Sequence, residues 1–257
     1  MLEVENLSKS FGGLSAVNRC SFSVQRGQIT GLIGPNGAGK TTVFNVITGF
    51  QKPDSGKVVL KGEEITGLSP HLIFRKKACR TFQVPREFGE ITVLENMMLV
   101  PYGQAGEKIW NPFLRAGLVR RQESSIREKA LETLRFLDLI ELKDEYAKRL
   151  SGGQKKLLEL GRTMMADPDM VLLDEPGAGV NPTLMKRLAK AIEQLCYERG
   201  ITFFLIEHDM DLVMKLCNPI IVMSQGSKLM EGSPEQVRKD ERVIEAYLGG
   251  QYGGTEG

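Results

Sequence analysis

Cysteine, tryptophan and histidine are scarce in this chain of 257 residues, which contains four, one and two of them. The cysteines are widely spaced, and no Cys-X-X-Cys pair occurs. This spacing argues against a zinc site and against a disulfide framework. We therefore expect buried free thiols in a reducing compartment; the positions are Cys20, Cys79, Cys196 and Cys217.

An excess of charge of either sign is also lacking. Lys and Arg total 34 against 32 Asp and Glu, a net charge of +2. Such a balance provides no general attraction for nucleic acid, so we expect no nucleic-acid partner. One local basic cluster, Arg75, Lys76 and Lys77 with Arg80, is interpreted as a solvated face.

No apolar run approaches the roughly 18 residues that a membrane-spanning helix requires. The N-terminal segment MLEVENLSKS has no stretch resembling a signal peptide. The longest apolar stretches, such as residues 201–206, have the length of buried strands. We expect a soluble cytoplasmic protein that can still dock onto a membrane protein.

Short apolar runs alternate with helical patterns along the chain. Apolar runs of the kind found in strands buried on both faces cover residues 29–33, 171–173, 201–206 and 220–223. Helical patterns follow at residues 42–48 and 184–195, and glycines 49 and 200 end them. This alternation predicts an α/β fold with a mostly parallel sheet.

The middle of the chain has a different pattern. Apolar stripes at helical spacing run through residues 126–137 and 157–165, while residues 101–121 are predicted to be irregular. The first 30 or so residues and residues 57–60 predict a smaller antiparallel layer. The glycine-rich tail from residue 249 is predicted to be loose. The architecture expected is thus an α/β core interrupted by a helical insert.

A phosphate-binding loop is the strongest local signal. The segment GPNGAGKTT fits the pattern GxxxxGK[ST] between a predicted strand and a predicted helix. Main-chain N–H groups of such a loop surround phosphate oxygens, and the helix N-terminus points at the same anion. Lys40 adds a positive charge, and the Thr41 hydroxyl suits Mg²⁺. We therefore predict that ATP or GTP binds at Gly34, Pro35, Asn36, Gly37, Ala38, Gly39, Lys40, Thr41 and Thr42.

Two further strand ends carry acids or a histidine. Residues 170–175 form an apolar strand that ends in Asp174 and Glu175. Ligands bind at the carboxyl ends of strands in open α/β sheets, so Asp174 can hold Mg²⁺ and Glu175 can orient or deprotonate the attacking water. The next buried strand ends in Glu207, His208 and Asp209. The His208 imidazole can hydrogen-bond the γ-phosphate.

The segment Leu150-Ser151-Gly152-Gly153-Gln154 resembles the LSGGQ signature of ATP-binding-cassette (ABC) ATPases. The phosphate loop, the acidic strand end, Gln83 and His208 accompany it in that family's order. The resemblance implies one cassette, 1–257: a RecA-like P-loop NTPase core with an antiparallel β layer and a helical insert. The core is expected at residues 1–83 and 167–257, and the insert with the signature at 84–166.

Residue roles follow from the same resemblance. It implies that Thr41, Gln83 and Asp174 serve Mg²⁺, that Glu175 is the catalytic glutamate and that His208 is the switch histidine. Gln83 also links core and insert. The signature residues, whose helix start is a further anion site, are expected to contact the ATP of a second cassette; they are Ser151, Gly152, Gly153 and Gln154.

Two positions depart from the family pattern. Phe11 replaces the frequent tyrosine that stacks on the base, which keeps stacking but removes a hydroxyl. Asn181 replaces an acid in the loop that communicates across the cassette dimer, which leaves its role there open.

The whole-chain pattern is most similar to ATP-binding subunits of bacterial branched-chain amino-acid importers, on residues 78–83, 206–210 and 243–249. That resemblance implies two membrane permease subunits, a second ATPase and an external solute-binding protein as partners, at the cytoplasmic face of the membrane. The alternatives are an ABC ATPase for another cargo, such as lipopolysaccharide extraction, a soluble ABC ATPase of DNA repair or translation, and a regulator that does not hydrolyse.

Overall fold

The strands of this protein form two sheets, and a computed structural model describes them within residues 1–81, 87–107, 110 and 115–252. The ten strands are β1 Leu2–Phe11, β2 Leu14–Val24, β3 Ile29–Ile33, β4 Ser55–Leu60, β5 Glu63–Glu64, β6 Ala78–Arg80, β7 Met170–Asp174, β8 Thr202–Ile206, β9 Ile220–Ser224 and β10 Ser227–Gly232.

Helices connect most of these strands. The α-helices of the described ranges are α1 Lys40–Ile47, α2 Pro70–Arg75, α3 Val93–Met98, α4 Ala116–Phe136, α5 Gly152–Met165, α6 Pro182–Arg199, α7 Met210–Leu216, α8 Pro234–Lys239 and α9 Glu241–Tyr252. Short 3₁₀ turns lie at Ala105–Glu107, Ile140–Leu142 and Ala147–Arg149. None of the helices in these ranges is both long and apolar enough to span a bilayer.

The larger sheet has the strand order β10-β9-β3-β8-β7-β6. Its strands are parallel except for the antiparallel pair β9 and β10. The central strands β3, β7 and β8 are buried along their whole length because residues on both faces are covered. This confirms the parallel α/β core predicted from the apolar runs.

The smaller sheet is antiparallel, in the order β2-β1-β4-β5, as predicted for the N-terminal region. It shares one apolar core with α1 and the larger sheet. Phe204 of β8 joins the two layers, with its ring centroid 5.5 Å from that of Phe22 and 4.9 Å from that of Phe44.

The chain divides into two compact units. The first contains Met1–Arg80, Asp169–Gly177 and Ile192–Gly257, and the second contains Thr81–Pro168 and Ala178–Ala191. In the second unit α3, α4 and α5 pack against one another. Gly161 permits this close packing, since a Cβ there would lie 2.8 Å from Leu137 Cδ1. The predicted limits of the insert, 84–166, stay a prediction.

The structure corrects several expectations. Helix α4 begins at Ala116, inside the region predicted to be irregular, because buried Val119 extends the apolar stripe of Ile126 by two turns. Helix α9 continues to Tyr252 and so includes the first four residues of the tail predicted to be loose. Strand β10 was not predicted; it pairs with β9 across the turn at Gln225 and Gly226, both of which have positive φ.

The thiol prediction is confirmed, since all four cysteines are free and buried. Burial raises the pKa of Cys20 to about 11 and that of Cys79 to about 12. At neutral pH these thiols are therefore protonated and unreactive.

Candidate functional site

The loop that follows β3 has the backbone conformation of an anion-binding turn. Gly34, Gly37 and Gly39 have φ of +150°, +78° and +98°. A Cβ on Gly39 would lie 2.3 Å from the Ala16 carbonyl oxygen, so only glycine fits there. Gly39 also immediately precedes α1, whose first N–H groups have no acceptor within the helix.

Lys40 begins α1 and lies within the loop that it is expected to complete. Its ammonium donates to the carbonyl oxygens of Gly34 at 2.7 Å and Pro35 at 3.0 Å, and the residue is buried. Burial lowers the pKa of Lys40, while the carboxylates of Glu175 and Asp174 act in the opposite direction. The acid pair is thus close enough to the phosphate loop to influence its lysine. Thr41, the next residue, is exposed.

Asp174 is buried at the end of β7 and is paired with an arginine. Arg80 Nη2 lies 2.7 Å from Asp174 Oδ2, and both side chains are less than a tenth exposed. The same guanidinium donates to Asn45 on α1 and to Thr48, the residue that ends this helix. Arg80 therefore does not lie on a solvated face, which corrects the interpretation of the basic cluster; the paired carboxylate at a strand end is the physical reason.

Glu175 and His208 are brought together at neighbouring strand ends. His208 Nε2 lies 2.9 Å from Glu175 Oε1, the distance of a ring N–H donating to a carboxylate. Glu175 has a φ of +49°, an uncommon value for a residue with a side chain, and its own N–H donates to Ile206. The two residues predicted for hydrolysis thus form one contact beside the phosphate loop.

The signature segment forms the start of α5. The Ser151 hydroxyl accepts from the Gln154 N–H at 3.4 Å, and the Gln154 side chain accepts from the Ser151 N–H at 2.8 Å. This capping box begins the helix and directs its N-terminus outward. Gly153 packs under the segment, since a Cβ there would lie 2.5 Å from Leu184 Cδ1.

Three remaining positions from the sequence have different outcomes. Phe11 ends β1 and is 46% exposed, so its ring can receive a stacked base; the Lys9 ammonium lies 5.5 Å from the ring centroid. Asn181 caps α6 by accepting from Leu184 N–H at 2.9 Å, a role within the chain that needs no acid. Gln83 lies outside the described residues.

The residues near the acid pair fit Mg²⁺ in their chemistry. The Thr41 hydroxyl and the Asp174 carboxylate are hard oxygen donors, and one or two such ligands with phosphate oxygens suffice for this ion. In the described part of the chain no group of three or more His, Cys, Asp or Glu side chains could hold a metal by itself.

Two charged residues were missed as candidates from the sequence. Arg80 was assigned to the surface, and Glu207 was noted only as part of a strand end, although it is 3% exposed and accepts three main-chain N–H groups. Their positions after apolar strands were the available signal. The pairing itself depends on strand order, which the sequence does not state.

The fold and the loop define the class of protein: a P-loop ATPase with a parallel core and an antiparallel layer. A sequence model of the ABC transporter family matches residues 17–178. A second model, that of the branched-chain amino acid ATP-binding cassette transporter, matches residues 227–253. The chain belongs to the ABC transporter family, as one of its ATP-binding cassettes.

Individual relatives are similar over nearly their whole length. The high-affinity branched-chain amino acid transport ATP-binding protein BraF of Pseudomonas aeruginosa is 43% identical, over 97% of this chain and 98% of the relative. The protein LivG of Escherichia coli K12, with the same description, is 41% identical over the same shares. A crystal structure of the ADP conformation of an ABC transporter cassette is 39% identical, with a TM-score of 0.83 over 97% of this chain and 98% of that one.

Adding a methyl group at Gly39 tests the phosphate loop. We expect Gly39→Ala to weaken ATP binding about tenfold or more, because positive φ and the Ala16 carbonyl force the loop to move. Gly37→Ala is the matched control: its φ is also positive, but open space surrounds its Cβ position. Calorimetric titration with ATP measures both, and equal affinities would contradict the assigned loop geometry.

Removing the Arg80 guanidinium tests the buried pair. Arg80→Leu leaves the Asp174 charge buried without its partner, so we expect the free energy of unfolding to fall by about 3 kcal/mol. Lys148→Leu breaks an exposed pair with Glu90 and should change it by less than about 1 kcal/mol. Urea unfolding measures both variants; similar losses would show that the Arg80 pair is not desolvated.

Proposed function

We propose that this ATPase cassette drives import of branched-chain amino acids through a membrane permease. Hydrolysis is supported by one geometric observation: the 2.9 Å contact of His208 with Glu175 at strand ends that adjoin the phosphate loop. The cargo is supported by the names of the relatives, which are similar along nearly the whole chain, and by the C-terminal match.

We assign binding of ATP phosphates to residues 34–42, with Phe11 stacking on the base. The Lys40 ammonium already lies within the loop and would exchange its two carbonyl partners for phosphate oxygens. Mg²⁺, held by Thr41, Asp174 and Gln83, would supply neutralisation of phosphate charge. These assignments put Lys40 and Thr41 at the start of α1 and Asp174 at the end of β7.

We assign proton transfer from the attacking water to the Glu175 carboxylate, and positioning of the γ-phosphate to His208. The imidazole N–H donates to Glu175 in the structure, so its movement to phosphate would release the carboxylate to accept a proton. Binding of a triphosphate and activation of the base are thereby coupled by one hydrogen bond.

A second cassette completes the site in this proposal. Ser151, Gly152, Gly153 and Gln154 would contact the ATP held by the partner cassette, because the α5 N-terminus presents N–H donors and a positive dipole end. ATP would close the pair, and hydrolysis would release it.

In the proposed assembly this chain is peripheral, at the cytoplasmic face of the cell membrane. The other members of the assembly are two permease subunits, a second ABC ATPase in a homodimer or heterodimer, and a solute-binding protein on the other side. The cargo never contacts this chain, so specificity for it would reside in the permease and the binding protein.

Neutralising Glu175 tests the hydrolytic assignment. Glu175→Gln keeps the shape and the loop, so we expect unchanged ATP affinity, a fall in kcat of about 100-fold or more, and a stable dimer with ATP. Colorimetric phosphate release and light scattering after gel filtration measure these. A variant that turns over at the normal rate would show that another group is the base.

Reconstitution tests the cargo. The chain is co-expressed with candidate permease subunits, and the purified complex is placed in proteoliposomes with a candidate binding protein. We expect ATP-dependent uptake of radiolabelled leucine that isoleucine and valine inhibit and lysine does not. Proteoliposomes with the Glu175→Gln cassette are the control. Stimulation of the ATPase by lipopolysaccharide, without leucine uptake, would identify the alternative cargo.

A further inference from the structure

Glu207 is a buried carboxylate between the two loops that carry Glu175 and His208. It follows β8 directly and is 3% exposed. Burial raises its pKa above the usual range, and the nearby Asp209 carboxylate acts in the same direction. Among the described residues no Lys or Arg pairs with it in an ion pair. Burial of such a carboxyl group costs free energy of folding unless its oxygens accept hydrogen bonds.

Its two oxygens bond to two different loops. Oε1 accepts the Gly177 N–H at 2.6 Å, two residues beyond Glu175 in the loop after β7. Oε2 accepts the His208 N–H at 3.0 Å and the Asp209 N–H at 3.4 Å, in the loop after β8. One side chain therefore connects the backbone behind Glu175 to the backbone that carries the imidazole.

The three hydrogen bonds require that both side-chain oxygens of Glu207 act as acceptors. All three partners are main-chain N–H groups, and a hydrogen bond to an ionised carboxylate oxygen is stronger than one between neutral groups. An amide side chain offers only one acceptor, and its NH₂ group would face either Gly177 N–H or His208 N–H. A side chain shortened by one methylene reaches one loop but not the other. Neither Gln nor Asp at position 207 can therefore make all the hydrogen bonds that Glu makes.

We infer that Glu207 is a positioning residue for ATP hydrolysis, which holds the Glu175 loop and the His208 loop in register so that the two side chains meet. The inference rests on the proposed function of that pair. It places no atom of Glu207 on the nucleotide. Displacement of the pair by an ångström would slow the chemical step, because catalytic groups must be held close to their reactive geometry. Nucleotide binding, which uses the loop after β3, would be unaffected.

The test compares Glu207→Gln and Glu207→Asp with Thr202→Val. Thr202 lies at the opposite end of the same strand, is fully buried, and accepts the Gly27 N–H at 3.0 Å. We expect both Glu207 variants to lower kcat about tenfold to 100-fold, with the KM for ATP and the binding constant within twofold of the parent. Thr202→Val should lose stability and keep kcat. Normal kcat in both Glu207 variants overturns the inference.

A mutant cycle separates positioning from a general structural role. Single-turnover rates are measured for Glu207→Gln and Glu207→Asp in the parent and in a His208→Ala background. If Glu207 acts through the pair, its effect shrinks to about twofold or less once His208 is absent, because residues that act as a unit are not additive. An equal loss in both backgrounds overturns the inference, and so does a loss that appears only as weaker ATP binding.

The same assays distinguish this inference from the proposed function. Hydrolysis that is lost in Glu175→Gln but unchanged in the Glu207 variants leaves the proposed function intact and removes Glu207 from it. Full activity in Glu175→Gln contradicts the proposed function itself. If Glu207→Gln does not fold, Glu207→Asp retains the charge and one of the two connections, and its kcat decides the question.

Discussion

The parallel register of three neighbouring strands is the constraint on which the site depends. Leu32 of β3 pairs with Ile206 of β8, and Ile206 pairs with Asp174 of β7. The carboxyl ends of the three strands therefore lie at the same level, and the residues that follow them lie side by side. A glycine turn, an acid and a histidine that are far apart in sequence become neighbours through main-chain hydrogen bonds alone. A shift of one residue in either strand pair would separate them.

Charge in this region is balanced within the chain rather than by solvent. Arg80 neutralises Asp174, three main-chain N–H groups surround Glu207, and Lys40 is held by two carbonyl oxygens. Each arrangement satisfies a group that would otherwise be costly to bury. A triphosphate with its metal adds charges of both signs to such a region. The charged side chains can therefore exchange their present hydrogen-bond partners for the ligand without a movement of the strands.

The sequence predicted those features that are local. The phosphate loop, the central strands and the start of α5 each carry their signal within ten or so consecutive residues, and the structure has them at those positions. Arg80 and Glu207 were missed because Asp174, which pairs with Arg80, and Gly177, which bonds Glu207, are 94 and 30 residues away from them in the chain. The start of α4 was missed because Gly117 and the nearby prolines and glycines predicted an irregular segment. One buried residue, Val119, was the apolar signal for the first turns of this helix.

The capping box at Ser151 begins α5 and determines which donors are presented at this helix start. The Ser151 hydroxyl oxygen accepts from Gln154 N–H, and this bond leaves the hydroxyl hydrogen available as a donor. The Gln154 side chain is occupied with the Ser151 N–H. The N–H groups of Gly152 and Gly153 come before the first intrahelical donor, which is the Lys155 N–H bonded to the Ser151 carbonyl oxygen, so they have no acceptor within the helix. Because the capping box fixes the direction of all three donors before any ligand arrives, recognition of a phosphate here would require little ordering of the segment.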